Sequence, residues 1–246
     1  MLNSMHNPKN LKTIWLFLQL ISFTLAAQDS SKTPYFDEVK IGNQIWMQKN
    51  LDVVTFRNGD TIPQVFGNKE WEVAGFEEKP AWCYYNYDST NGAQYGKLYN
   101  WYAVNDSRGL APEGWQIPSL VEWDIFKYEI HNLNDVHASC DGCKVKQADG
   151  WDLLDKSLKK RFQKKNPNCS NITNSTGFSA MAGGYKYYRS FVKFGQCGRW
   201  WSSTETSFFN ANSIEIDGHC SSWNYFEIEK PSKEFGLSVR CIKDIE

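Results

Sequence analysis

Pro118-Ser119-Leu120-Val121-Glu122-Trp123 is the stretch from which the fold can be read. The Ser119 hydroxyl can accept from an amide of a starting helix, and Glu122, three residues on, can reach back to the Ser119 amide. Beyond it, Leu120, Trp123, Phe126 and Ile130 recur at helical spacing and predict an amphipathic helix. Lys127 falls within that stripe, so its stem must lie along apolar surface while its ammonium reaches outward.

Working outward, Phe36 to Met47 alternates around Gly42-Asn43 and predicts a hairpin. Residues 57 to 80 read as irregular loop, with Asn58-Gly59-Asp60 a tight turn. Leu98 to Val104 reads as a short helix, entered from the Tyr95-Gly96 turn, and Trp151 to Phe162 as another helix through Trp151, Leu154, Leu158 and Phe162. From Gly177 the pattern turns to strands: Ser190 to Phe194, Arg199 to Ser203, Ser213 to Asp217, Trp223 to Glu229, and a last strand Leu237 to Ile242 with Leu237, Val239 and Cys241 facing inward. Two or three helices followed by a late antiparallel sheet and many loops indicate an α+β protein.

The N-terminal 27 residues carry Lys9 and Lys12 and no acid, then an apolar run from Ile14 to Ala27 that closes on Leu25-Ala26-Ala27. This is the pattern of a signal peptide, and the run is shorter than the ~20 apolar residues of a membrane span. We therefore expect residues 1–27 to be removed, residues 28–35 to form a short lead, and residues 36–244 to be one domain. The location is exported: periplasmic, cell-surface or extracellular, with no membrane segment after cleavage. The remainder keeps all 28 acids and loses two of the 27 basic residues, and it has no basic block, which argues against nucleic acid as a partner. Eleven Trp, 12 Tyr and 15 Phe at a mean hydropathy of −0.56 imply an aromatic core inside a polar, loop-rich surface.

All seven cysteines follow the signal region. Outside the cytoplasm Cys83, Cys140, Cys143, Cys169, Cys197 and Cys220 are disulfide candidates, and the odd count leaves one over. Cys140-Asp141-Gly142-Cys143, with His131 and His137 upstream, offers only two thiolate ligands of the four that structural zinc takes. Asp-Gly inside that motif favours a turn over the helix start of a redox pair. No metal and no cofactor is expected. Four sequons, at Asn105, Asn168, Asn171 and Asn174, mark polar surface.

Seven motifs then stand in a telling order: Val39-Lys40-Ile41-Gly42-Asn43-Gln44-Ile45-Trp46-Met47-Gln48-Lys49-Asn50-Leu51, Tyr95 to Ala103, Pro112 to Ser119 with Glu122-Trp123, Gly177-Phe178-Ser179-Ala180, Gly183-Gly184-Tyr185, Trp200-Trp201-Ser202-Ser203, and Ser238-Val239-Arg240-Cys241. Together they resemble the Fibrobacter succinogenes major paralogous domain of exported bacterial proteins. That family is itself similar to the C-type-lectin-like and formylglycine-generating-enzyme group. The resemblance implies a C-type-lectin-like fold and an exported location. In the family's pattern a Cys stands where this chain has Ala111, and it would bridge to the terminal strand, so the resemblance implies a buried free thiol at Cys241.

For function the expectation is a non-enzymatic lectin-like domain that binds a surface glycan or a protein partner. The alternative is an enzyme on the same fold. The triplets that bind calcium and sugar in true C-type lectins are absent, and Trp223-Asn224-Tyr225 has Tyr where a calcium-binding Asp belongs. Trp200, Trp201, Trp223, Asn224 and Tyr225 are the candidate ligand-binding residues, as an aromatic platform for sugar rings. Neighbouring strand residues face opposite ways, so one of Trp200 and Trp201 belongs to the core, and packing roles for both are the competing reading. No catalytic residue is assigned.

Overall fold

The structure, a computed structural model, describes residues 36–138, 140–147, 149, 151, 172–218 and 226–243. The signal region, Cys169, Cys220 and residues 223–225 lie outside the described residues, as does all but Trp151 of the helix expected over 151–162.

The first hairpin forms as read, with β1 (Glu38–Ile41) antiparallel to β2 (Gln44–Met47) about Gly42, whose φ of 57° is the left-handed turn conformation open to glycine. The segment read as loop between residues 57 and 80 is irregular only in part. Asn58 caps its own turn through the Asp60 amide, but α1 (Asn68–Phe76) is a helix. It buries only Trp71 and Gly75 and leaves Val73 and Phe76 exposed, so it carries no apolar stripe that spacing could detect. A short hairpin pairs β3 (Trp82–Cys83) with β4 (Leu98–Tyr99), separated by α2 (Gly92–Tyr95). Leu98 and Tyr99 are thus strand, not helix. The helix expected there is confined to α3 (Trp101–Val104), capped by the Asn100 side chain, which accepts from the Ala103 amide.

After β5 (Trp115–Gln116), α4 (Leu120–Asn132) starts on the expected capping box. Ser119 Oγ accepts from the Glu122 amide at 3.3 Å, and the Glu122 carboxylate accepts from the Ser119 amide at 2.6 Å. Trp123, Phe126 and Ile130 are buried, and the Lys127 ammonium donates to the Phe226 carbonyl. A one-turn helix α5 (Asp141–Val145) follows. The late part contains the hairpin β6 (Tyr185–Tyr187) with β7 (Ser190–Val192), then β8 (Cys197–Glu205), β9 (Ala211–Asp217) and β10 (Phe226–Glu229). These last three make an antiparallel sheet ordered β10-β9-β8. With five α-helical segments among the described residues and small antiparallel sheets, the chain is α+β.

The terminal strand departs from expectation. Only β11 (Ile242–Lys243) is regular, and it closes a four-stranded sheet ordered β1-β2-β11-β5. The stretch before it runs extended between neighbours. Leu237 bridges Tyr99, Ser238 bridges Trp200, and the amides of Leu51 and Met47 donate to the carbonyls of Val239 and Cys241. Leu237 through Ile242 are all buried, so there is no outward face. The tail is surrounded, and alternation along it sorts side chains between two parts of the core.

Arg240 faces one of those parts. Its guanidinium donates to the carbonyls of Met47 (3.1 Å), Gln48 (2.7 Å) and Phe178 (2.6 Å) and to Asn50 Oδ1 (2.7 Å), and it lies 4.6 Å from the Phe178 ring centre. Burial pushes it down to about 9, and it remains charged at neutral pH. Asn50 Oδ1 also accepts from Trp200 Nε1 at 2.8 Å. Around this hub Trp46, Trp123, Phe126, Phe178 and Trp200 form one aromatic cluster, with Trp46 4.7 Å from Trp123 and Phe126 4.7 Å from Phe178.

These contacts set two expected stabilities by denaturant titration. Arg240→Met leaves several buried acceptors without donors and should cost roughly 3–5 kcal/mol. Ser119→Ala removes one cap and should cost about 1 kcal/mol. A loss below 1 kcal/mol for Arg240→Met would overturn the hub.

Candidate functional site

Both members of the expected tryptophan platform are inside. Alternation along β8 sends Trp200 to the aromatic cluster and Trp201 to the neighbouring core with Tyr99, Leu237 and Val239. Each is fully buried, and each indole N–H is used, by Asn50 Oδ1 for Trp200 and by the Tyr99 carbonyl (2.8 Å) for Trp201. Neither ring can stack on a sugar. Trp223, Asn224 and Tyr225, the other candidates, lie outside the described residues.

The cysteines also distribute differently from expectation. No disulfide links two of the described cysteines. Cys83 and Cys197 are buried free thiols, and burial raises both far above the usual thiol range. The Cys140 and Cys143 sulfurs are 2.6 Å apart at the start of α5, with the Cys143 amide donating to Cys140 Sγ. His131 Nδ1 is taken by Asp141 Oδ2 at 2.9 Å. Cys241 is fully buried in the same core cluster as Ala111.

Exposed aromatic surface occurs elsewhere, on residues that periodicity did not single out. The tip of the β6–β7 hairpin carries Tyr187, at the end of β6, and Tyr188, 45% and 50% exposed. Their rings meet edge to face at 4.7 Å, and both pack on the buried Phe235, at 4.8 and 5.2 Å. Tyr188 has a φ of 47°, which turns the chain sharply enough to present both rings together. Arg189, next in the chain, pairs with Glu72 of α1.

The segment holding Phe235 organises more of this surface. The Lys233 amide donates to the Phe209 carbonyl at 2.9 Å, and the Lys233 ammonium lies 5.8 Å from the Phe208 ring centre. Phe208 and Phe209 sit at the tip between β8 and β9, 69% and 71% exposed and stacked edge to face at 4.9 Å. On the other side the Glu234 carbonyl accepts from Trp71 Nε1 at 2.7 Å, and the Glu234 side chain packs over Gly75, beside the exposed Phe76. Exposed rings from two separate segments, the β6–β7 tip and the β8–β9 tip, thus border residues 232–235.

Beneath Tyr187 the adjacent Lys186 is fully buried. Its ammonium donates to Asn68 Oδ1 (2.8 Å) and lies 4.4 Å from the Phe191 ring centre and 5.0 Å from that of Tyr87. Burial lowers its proton affinity, against opposing pulls from Cys83 and Glu72. This caged cation fixes the base of the hairpin, so the two tyrosines stand on a rigid support.

A second polar constellation lies on one face of the late sheet. Arg199 and Glu215, directly opposed across β8 and β9 and both buried, form an ion pair at 3.1 Å. Lys193 adds to Glu215 (2.7 Å) and Glu229 to Arg199 (3.3 Å), while Arg199 lies 4.7 Å from the Tyr185 ring centre. Its charges are mutually satisfied, which suits a structural clamp.

The family model of the Fibrobacter succinogenes major domain matches residues 39–243. The chain belongs to this family. No curated protein and no solved structure matches it. The match spans the four-stranded and three-stranded sheets, α4 and the Arg240 hub, so the Fibrobacter succinogenes major domain here is nearly the whole described body rather than an appended part.

The buried thiols give a direct check. In native protein at pH 8, Cys83 and Cys197 should resist an aromatic disulfide reagent and react only on unfolding, because burial keeps them protonated and covered. Rapid labelling of either one, located by peptide mass mapping, would contradict the packing described.

Proposed function

We propose that this Fibrobacter succinogenes major domain is an exported, non-enzymatic, lectin-like binding module that engages a surface glycan or a protein partner through its exposed aromatic surface. The observation that carries the reading is the Tyr187–Tyr188 pair, half exposed and braced on buried Phe235. Pre-stacked rings lose little conformational freedom on binding, and their faces match the C–H faces of sugars or the apolar anchors of a protein surface. Arg189 and Glu72 beside them supply hydrogen-bonding groups at the rim. The basic and apolar N-terminal segment supports export, with removal after Ala27. The helix begun by the Pro-Ser cap, the late sheet and the tail pairing with the first hairpin support the lectin-like comparison.

A glycan array and a cell-surface capture assay on residues 28–246 test this. Tyr187→Ala with Tyr188→Ala should weaken binding about tenfold, since each lost aromatic contact contributes roughly 0.5–1.5 kcal/mol. Phe126→Tyr, far into the core, is no substitute control; Val121→Ser on the outer face of α4 is, and it should leave binding unchanged. Full binding by the double tyrosine variant would reject this surface.

A further inference from the structure

A cleft of about 280 Å³ opens between the first hairpin and the end of α4, and it shares no lining residue with the exposed aromatic surface. Lys40, Ile41 and Gly42 form one wall, Glu129, Ile130, Asn132 and Leu133 another, and Ser175 and Thr176 the third. It combines three chemistries in a small volume.

The first is an anion held in place. The Glu129 side chain lies across Gly42, with Oε2 2.7 Å from where a Cβ would stand, and Gly42 has a φ of 57°. A side chain at residue 42 would displace the carboxylate, so the left-handed glycine makes room for it. Glu129 is half-buried, and no hydrogen bond or ion pair from the described residues satisfies its carboxylate. It also sits in the last turn of a 13-residue helix, whose carbonyl end is negative. That end already accepts one ammonium: Lys144 Nζ donates to the carbonyls of Ile130 (2.9 Å) and Leu133 (2.8 Å). Asn132 commits its amide N–H to the Tyr128 carbonyl at 2.8 Å, which leaves its Oδ1 as a further acceptor.

The second chemistry is a cation, Lys40, which forms no ion pair among the described residues. The third is apolar surface, offered mainly by the exposed Leu133 with an edge of Ile41. Such a cleft suits neither a plain anion nor a plain cation.

From this we infer that the cleft is a binding site for a small zwitterion, a free α-amino acid with an apolar side chain. Its ammonium pairs with Glu129 and Asn132 Oδ1, its carboxylate pairs with Lys40, and its side chain covers Leu133 and the edge of Ile41. The volume admits one amino acid but lies below the ~300–1,000 Å³ of drug-sized pockets. Each charge pair replaces contacts with water on binding, so the affinity is modest, and each pair contributes through charge-assisted hydrogen bonds.

Calorimetric titration of residues 28–246 with L-leucine, leucine amide, N-acetyl-leucine and glucose tests the inference. Leucine should bind, while the amide, which lacks the carboxylate, and the N-acetyl compound, which lacks the ammonium, should each bind about tenfold more weakly or worse. Glu129→Gln and Lys40→Met should each weaken leucine binding by a similar factor with unchanged circular dichroism, and the Tyr187/Tyr188 double alanine variant should bind leucine normally. That last arm separates this site from the aromatic surface, so either can fail alone. The inference is overturned by no leucine binding at millimolar concentration, by equal binding of leucine and its amide, by insensitivity to both charge substitutions, or by a preference for glucose.

Discussion

The guanidinium of Arg240 sits fully buried where five stretches of chain, distant in sequence, have to meet. It reaches the carbonyls of Met47 and Gln48, the side chain of Asn50 and the carbonyl of Phe178, and through Asn50 Oδ1 it shares an acceptor with the indole of Trp200. Asn50 in turn donates to the Tyr95 carbonyl at 2.9 Å. A buried cation without acceptors costs several kcal/mol, so the backbone carbonyls around it must converge for the fold to be stable. The first hairpin, the Gly-Phe-Ser-Ala segment, the late sheet and the tail are thereby fixed relative to one another. Five of the seven sequence motifs, those holding Asn50, Tyr95, Phe178, Trp200 and Arg240, are thus parts of this single arrangement.

The same device recurs at smaller scale. Lys97 lies 4.7 Å from the Trp82 ring centre and donates to the Asp52 carbonyl at 2.8 Å, and Lys233 lies 4.6 Å from the Trp101 ring centre and pairs with Glu205. Each cation keeps an aromatic face on one side and oxygens on the other. Several tryptophan N–H groups serve the backbone in the same way, those of Trp71, Trp82 and Trp151 donating to carbonyls of irregular segments and those of Trp101 and Trp201 to strand carbonyls. Trp123 Nε1, by contrast, is buried without a hydrogen-bond partner among the described residues. A loop-rich chain leaves many backbone carbonyls outside regular ladders, and each buried one needs a donor. Long cations and indoles supply those donors while also filling the core.

This economy bears on where function can lie. Aromatic residues are so heavily used inside that Trp200 and Trp201 have no surface to offer, whereas the tyrosines at a hairpin tip and the phenylalanines at the neighbouring tip are left outside. Their common border is the 232–235 segment, which is held by α1 on one side and by the β8–β9 turn on the other. The cleft beside α4 has the opposite character, with the charges of Glu129 and Lys40 unpaired among the described residues.

By itself the sequence determined the local events. The capping box at Ser119, the buried stripe Trp123-Phe126-Ile130, the hairpin about Gly42 and the α+β class all follow from side chains within a few residues of one another. Family membership was legible too, because ordered motifs survive as linear strings. Tertiary structure alone decided what depended on distant partners. Helix α1 has no stripe to betray it, Leu98 and Tyr99 became strand because Trp82 and Cys83 lie alongside, and the tail lost its outward face because chain closes over both sides. The choice between Trp200 and Trp201 as core or surface was of the same kind: alternation separates their faces, but only packing on both sides of β8 buries the two together. Local spacing fixes direction, and what a side chain meets in that direction is set by contacts it cannot encode.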